Sequence, residues 1–232
     1  YCEIGLTDKE NLVSPKFRIK LPPKTSYRKE LISILKHFPH LNSISFSGYY
    51  GEPTLNDNIL DFYKIAYDVR ESLNWTQKKP NLTLFTNSST LHFEEIRERV
   101  INFDVVLAKL DVATEDDFQR TNSPHKETPN LEIIIESIRK LKKEMPTNHK
   151  LAIQSLIFNS YKTEFIPNNN AENITKLAYA IKRINPDSVQ IYSIARIPAN
   201  YFVFSIDKDR KQVIVEELQK IVNNPKIDIA FY

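Results

Sequence analysis

A parallel α/β sheet with helices packed outside it is the fold class this sequence predicts, on three observations. Short apolar runs of strand length alternate with segments whose apolar residues recur at helical spacing. Polar or glycine-bearing turns follow the apolar runs at Gly48–Pro53, Thr86-Asn87, Asp111 and Arg196. In parallel α/β folds, ligand-binding groups gather at those carboxyl ends. The 232 residues are 41% hydrophobic, enough for one core, and no linker divides them. One domain over residues 1–232 is expected, with about 206–232 a C-terminal helix and tail.

The elements follow in order. Arg28–Phe38 sets Leu31, Ile34, Leu35 and Phe38 on one helical face, with Ser26 as a cap. Ser43–Ser47 is a short strand ending at the glycine loop, and Asp57–Leu73 is a helix with Ile59, Leu60, Tyr63, Ala66 and Tyr67 on one face. Asn81–Phe85 is a strand followed by the polar turn Thr86-Asn87-Ser88-Ser89. Glu94–Ile101 is a short helix, and Val105–Leu110 is a strand running into Asp111. Thr128-Pro129 opens a helix, because proline suits the first helical position. Leu151–Phe158, Ala171–Ile184, Val189–Ile194 and Asp209–Val222 complete the count as strand, helix, strand and helix. The count opens on a helix, so a first strand is expected upstream of Tyr1.

Composition excludes more than it assigns. With 32 basic and 29 acidic residues, the net charge of +3 is weak support for a nucleic-acid partner. The densest basic stretch, Lys16 to Lys29, reads as a solvated loop and helix face. No apolar run approaches the ~18 residues of a membrane span. A single cysteine rules out an internal disulfide framework and fits a reducing, cytoplasmic setting. The five histidines lie on different elements without ligand spacing, so no metal is assigned to them. Frequent asparagine reads as compositional, including the one low-complexity tract, Asn168-Asn169-Asn170. Dinucleotide, Walker and nucleophile-elbow motifs are absent, and nowhere are basic and aromatic residues interleaved densely enough to stack bases.

The densest signal is Ser47-Gly48-Tyr49-Tyr50-Gly51-Glu52-Pro53-Thr54-Leu55, directly after the apolar run Ile44-Ser45-Phe46. Two of the chain's three glycines sit there. A chain so poor in glycine keeps one where φ must be positive or where a ligand needs a side-chain-free approach. A ligand-facing loop is therefore expected, against the alternative of an ordinary strand-to-helix turn.

Taken together, five segments resemble the radical S-adenosylmethionine (SAM) superfamily, and within it the short proteins related to the radical SAM domain of wyosine-type tRNA synthases. Tyr1-Cys2 is similar to the end of the C-x3-C-x-aromatic-C motif. Ser47–Leu55 resembles the segment after the second barrel strand, and Thr86-Asn87-Ser88 the Thr-Asn-Gly turn after the third. Leu110-Asp111 with Phe118 and Thr121–His125 resembles the segment after the fourth strand, and Arg196-Ile197-Pro198 the Arg-Pro-Pro turn after the sixth. The resemblance implies a partial (β/α)6 TIM-like barrel with parallel strands, its first strand missing from this chain.

It also implies a chemistry. The family holds a [4Fe-4S] cluster on three thiolates and leaves the fourth iron open for SAM, whose reductive cleavage gives a 5′-deoxyadenosyl radical. Carried over residue by residue, Cys2 is a cluster ligand and Tyr1 packs near adenine. Gly48, Gly51, Glu52 and Pro53 form the loop that meets the SAM amino group. Asn87, Asp111 and Gln154 are candidates for further SAM contacts, and Arg196 for an anion. An electron donor such as flavodoxin or ferredoxin is implied, and a tRNA substrate by kinship alone. The departures are two absent cysteines, Ser88 and Ile197 in place of glycine and proline, and an insertion over Asn159–Asn170. With one cysteine, the chain as given is expected to be inactive.

Each residue also has a plainer reading. Cys2 alone would be a buried thiol, Asp111 a helix cap, Arg196 a salt-bridge partner and Asn87 a turn residue. The alternative function is a degenerate barrel that binds SAM or a nucleotide without radical chemistry. A phosphate-sugar barrel enzyme fits less well, because no glycine follows Gly51.

Overall fold

The computed structural model describes residues 8–38, 40–48 and 51–232. The chain runs α1 (Tyr27–His37), β1 (Ser43–Phe46), α2 (Ile59–Ser72), β2 (Asn81–Thr86), α3 (Glu94–Val100), β3 (Val105–Lys109), α4 (Glu115–Asn122) and α5 (Leu131–Glu144). It continues through β4 (Lys150–Leu156), β5 (Phe158–Ser160), α6 (Ala171–Ile184), β6 (Ser188–Tyr192), β7 (Val203–Ser205), α7 (Lys208–Val222) and β8 (Asp228–Phe231). Six strands form one sheet in the order β1-β2-β3-β4-β6-β8, every neighbour parallel. The expected parallel α/β architecture is what forms.

Strand alternation separates two faces. Leu82, Leu84, Val106, Ala108, Leu151, Ile153, Val189 and Ile191 join the apolar faces of the helices in one buried cluster. The opposite face carries Ser43, Thr83, Phe85, Leu107, Lys109, Ala152, Gln154, Gln190 and Tyr192, in register across the strands. None of these belongs to the helix-packed core. The sheet therefore has one dry face and one largely polar face.

Several local expectations are corrected. The helix after Pro129 begins at Leu131, because the Asn130 side chain accepts from the Ile133 amide at 3.0 Å and acts as the cap. Helix α4 lacked an apolar stripe strong enough to read from periodicity. It is set by Thr114, whose hydroxyl accepts from the Asp117 amide at 3.0 Å. The tail is not merely helical: β8 adds a strand beside β6. The predicted strand to Phe158 breaks in two, and β5 leaves the main sheet to pair antiparallel with β7.

Two aspartates staple the amino ends of the strands. Asp104, just before β3, accepts from the Leu82 amide at 2.8 Å and from buried Arg70. Asp187, just before β6, accepts from the Leu151 amide at 2.7 Å and pairs with Lys142 at 2.6 Å. Asp104→Ala would take one of its two carboxylate partners from the buried Arg70 guanidinium, leaving Glu71 at 3.1 Å, and would strip the acceptor from the Leu82 amide. The expected loss is about 2–3 kcal/mol in urea unfolding, whereas Asp116→Ala on the exposed face of α4 should change stability by less than about 0.5 kcal/mol.

Candidate functional site

The site forms at the carboxyl ends of β1, β2, β3 and β6. Gly48 sits where the loop after β1 folds back on itself, and a Cβ built there would overlap the Gly51 carbonyl. Among the described residues nothing lies within 4 Å of a Cβ added at Gly51. Neither has a left-handed φ, so close approach rather than backbone handedness explains Gly48. Tyr49 and Tyr50 lie outside the described residues, as do Tyr1 and Cys2.

Glu52 is the hub of the rim. One carboxylate oxygen accepts from the Thr54 amide at 3.3 Å, the Thr54 hydroxyl at 2.8 Å and the Thr86 hydroxyl at 2.8 Å. The other accepts from the Asn87 amide at 2.7 Å. Burial raises the Glu52 carboxyl above its ordinary value, outweighing the bonds from Asn87, Thr54 and Thr86 that lower it. Glu52 thus ties the glycine loop to the turn after β2, and its own oxygens are largely occupied by protein donors. Pro53 opens the single turn Pro53–Leu55 that delivers Thr54 to Glu52.

The turn after β2 contains an adaptation absent from the sequence reading. Ser88, not Asn87, takes the left-handed conformation, with φ 69°. It is fully buried, its amide donates to Thr86 Oγ1 at 3.1 Å, and its hydroxyl donates to the Lys109 carbonyl at 3.0 Å. A backbone geometry that favours glycine is held here by a side chain that ties β2 to β3. Asn87 is exposed, and its side-chain oxygen accepts from the Ser89 amide at 3.0 Å.

Asp111 is 1% exposed. It accepts from the Leu156 amide at 2.7 Å and pairs with Lys109 at 3.3 Å, so it pins β4 to β3; Thr114, not Asp111, caps the following helix. Lys109 also donates to the Tyr192 hydroxyl, with its ammonium 4.7 Å from that ring's centroid. Burial works to lower the Lys109 pKa, but Asp111 and Tyr192 together raise it. Gln154 and Gln190 are paired in register and joined by a 3.3 Å amide bond. Arg196 is exposed in the loop after β6, at the same end of the sheet.

Sequence reasoning missed Lys109, Gln190 and Tyr192. Strand alternation would have placed all three with Gln154 on one face, had the face rather than the turn been followed. It also missed the asparagines. Asn168 is fully buried and bridges the Asp111 carbonyl at 3.1 Å and the Leu156 carbonyl at 2.7 Å, while accepting from the Phe158 amide at 3.0 Å. Asn170 caps α6, and Asn173 accepts from the Ala113 amide at 2.8 Å. What reads as low complexity is the anchor of the 159–170 segment. The antiparallel pair β5 and β7 then packs Phe158 and Val203 with Leu156, and Tyr192 lies against that cluster.

A cleft of about 580 Å³ opens elsewhere, between α4, α5 and the start of α6. It is lined by Asp116, Asp117, Arg120, Glu132, Glu172 and Lys176, charges that largely serve each other, as in the 2.8 Å pair of Glu172 and Lys176. Among the described residues no group of three or more His, Cys, Asp or Glu is placed to hold a metal ion, and no helix is long and apolar enough to cross a membrane.

Comparison with known proteins follows the same lines. No family model matches the chain. A UPF0026 protein of Methanocaldococcus jannaschii is 25% identical over 228 residues, 96% of this chain and 62% of that protein. The GTPase Obg of Brachyspira hyodysenteriae is 23% identical over 200 residues, 86% of this chain and 26% of that protein. The chain thus spans less than two thirds of either relative. Among solved structures, a domain of pyruvate-formate lyase-activating enzyme from Bacteroides vulgatus aligns with TM-score 0.54 and 15% identity, covering 82% of this chain and 99% of that one. Streptococcus suis SuiB bound to S-adenosylmethionine aligns with TM-score 0.58 and 13% identity, covering 95% and 49%. The enzyme anSMEcpe with bound AdoMet and a peptide gives 0.59 and 16%, covering 93% and 61%. These structural neighbours are radical SAM enzymes, and the likeness establishes the fold.

Proposed function

We propose that this chain is the SAM-binding barrel of a radical SAM enzyme. The observation that carries the reading is the rim itself. A glycine loop with open space at Gly51 is fastened through Glu52 to the turn after β2, in a fold whose solved neighbours include two with SAM bound. Gly51 and the exposed Asn87 offer backbone and amide groups to a zwitterionic ligand, and Arg196 a cation.

The residues present fit SAM but not a complete [4Fe-4S] cluster. A cubane needs three or four thiolates, and the chain has one cysteine. Cys2 is proposed as one ligand of such a cluster, which a single cysteine does not hold by itself. A flavodoxin- or ferredoxin-type donor accompanies that chemistry, and a peptide or tRNA substrate is carried only by analogy. The single cysteine favours a second reading, a barrel that binds SAM or a nucleotide without radical chemistry.

Two measurements separate them. Equilibrium dialysis with labelled SAM should show saturable binding to this chain, and no binding would end both readings for SAM. The full gene product, reconstituted anaerobically with iron and sulfide and reduced with dithionite, should hold about four irons and release 5′-deoxyadenosine. SAM binding without iron retention or cleavage would leave the non-catalytic barrel.

A further inference from the structure

The polar inner face carries hydrogen-bonding capacity that the SAM rim does not use. Tyr192 accepts from the Lys109 ammonium, so its own hydroxyl proton must be given elsewhere, since Lys109 has no acceptor atom. Among the described residues no acceptor for it is found. Gln190 accepts from the Gln154 amide through its oxygen, which leaves the Gln190 amide as a donor and the Gln154 oxygen as an acceptor. Gln154 and Gln190 are directly paired across neighbouring strands, and Tyr192 stands two residues further along β6 on the same face. All three side chains are half-buried.

Two further features define what this wall can take. Among the described residues its one cation, Lys109, is matched by Asp111 at 3.3 Å, so the described wall presents donors and an acceptor without net charge. The wall is also bounded. Leu107 and Ala152 lie below the glutamine pair on the same face, and Leu156 with the antiparallel β5–β7 pair lies above it, packed against Tyr192. A free carboxylate or phosphate would meet no uncompensated cation there, and burying it would cost several kcal/mol. A planar amide edge, with a carbonyl beside an N–H, matches donor and acceptor without that cost.

We propose that Tyr192, Gln190 and Gln154 form the substrate-recognition wall of this barrel, and that it takes an uncharged planar amide edge. The proposal rests on the barrel interior being the ligand site. The 159–170 segment then has a function: Asn168 ties the Asp111 and Leu156 carbonyls to the Phe158 amide, and the β5–β7 pair packs against Tyr192.

The test is saturation-transfer NMR on this chain, with and without SAM. The probes are uracil for a ring amide, N-methylacetamide for an open-chain amide, and orotate as the charged counterpart of uracil. Transfer to uracil or N-methylacetamide is expected, the responding probe identifying the ring or open-chain source, with none to orotate. Tyr192→Phe and Gln190→Leu should each weaken the amide probe about tenfold, the loss of one hydrogen bond, while dialysis shows SAM affinity unchanged. Orotate binding as well as uracil, no transfer to either amide, or unchanged binding in both variants would overturn the proposal. Amide binding in a chain that fails to bind SAM would instead remove the SAM reading and leave the wall.

Discussion

Gly51→Val should leave the fold intact and lower SAM affinity at least about tenfold, whereas Gly48→Val should lower the stability of the fold itself. The two glycines are three residues apart in one loop, and the contrast follows from what surrounds them. At Gly48 any Cβ runs into the Gly51 carbonyl and lies 3.3 Å from Pro53 Cδ. Backbone cannot yield as a flexible side chain does, so a cost of roughly 1–3 kcal/mol is expected. At Gly51 an added Cβ meets no atom of the described residues within 4 Å, so the change in stability should stay within about 0.5 kcal/mol. Whatever binding is lost there is lost to the ligand's space. Thermal unfolding and SAM dialysis on both variants check the pair. Equal losses of stability at the two positions would show the loop to be an ordinary turn.

Glu52→Ala should be the most damaging single change at the rim. It strips the acceptor from four donors on Thr54, Thr86 and Asn87, and both threonines are nearly inaccessible to water. A destabilisation of about 2–3 kcal/mol should accompany loss of SAM binding, because the glycine loop and the turn after β2 lose their shared anchor. The pH dependence has a definite sign. The folded pKa is raised, so between the ordinary glutamate value and the raised one the folded state holds the extra proton. The Glu52 contribution is therefore fully present below that window and is lost as pH rises through it. Glu52→Gln should flatten this slope in urea titrations between acidic and neutral pH. A wild-type slope of opposite sign would mean that the four donors outweigh burial.

What was legible at the outset was whatever depends on neighbours along the chain. Helix α6 was found at Ala171–Ile184 from periodicity alone, because its apolar stripe is strong. The glycine loop stood out because glycine is so rare here. Ser88, Glu52 and Asp111 were located at the rim, but their work was not, since each is decided by a partner supplied from another strand's end: for Ser88 an acceptor, the Lys109 carbonyl, and for the two carboxylates a donor. For Glu52 that donor is the amide of Asn87, 35 residues away, and for Asp111 it is the amide of Leu156, 45 residues away.

The sequence by itself determined the alternation of the main strands and helices and the parallel sheet, though not α4, the β5–β7 pair or β8, because hydrophobic period and turn chemistry are local properties of the chain. Only the tertiary structure decided which polar groups are occupied and which remain to meet a ligand. Lys109 and Tyr192 are 83 residues apart and Gln154 and Gln190 are 36 apart. The register of parallel strands, fixed by burial of the opposite face, is what brings each pair together.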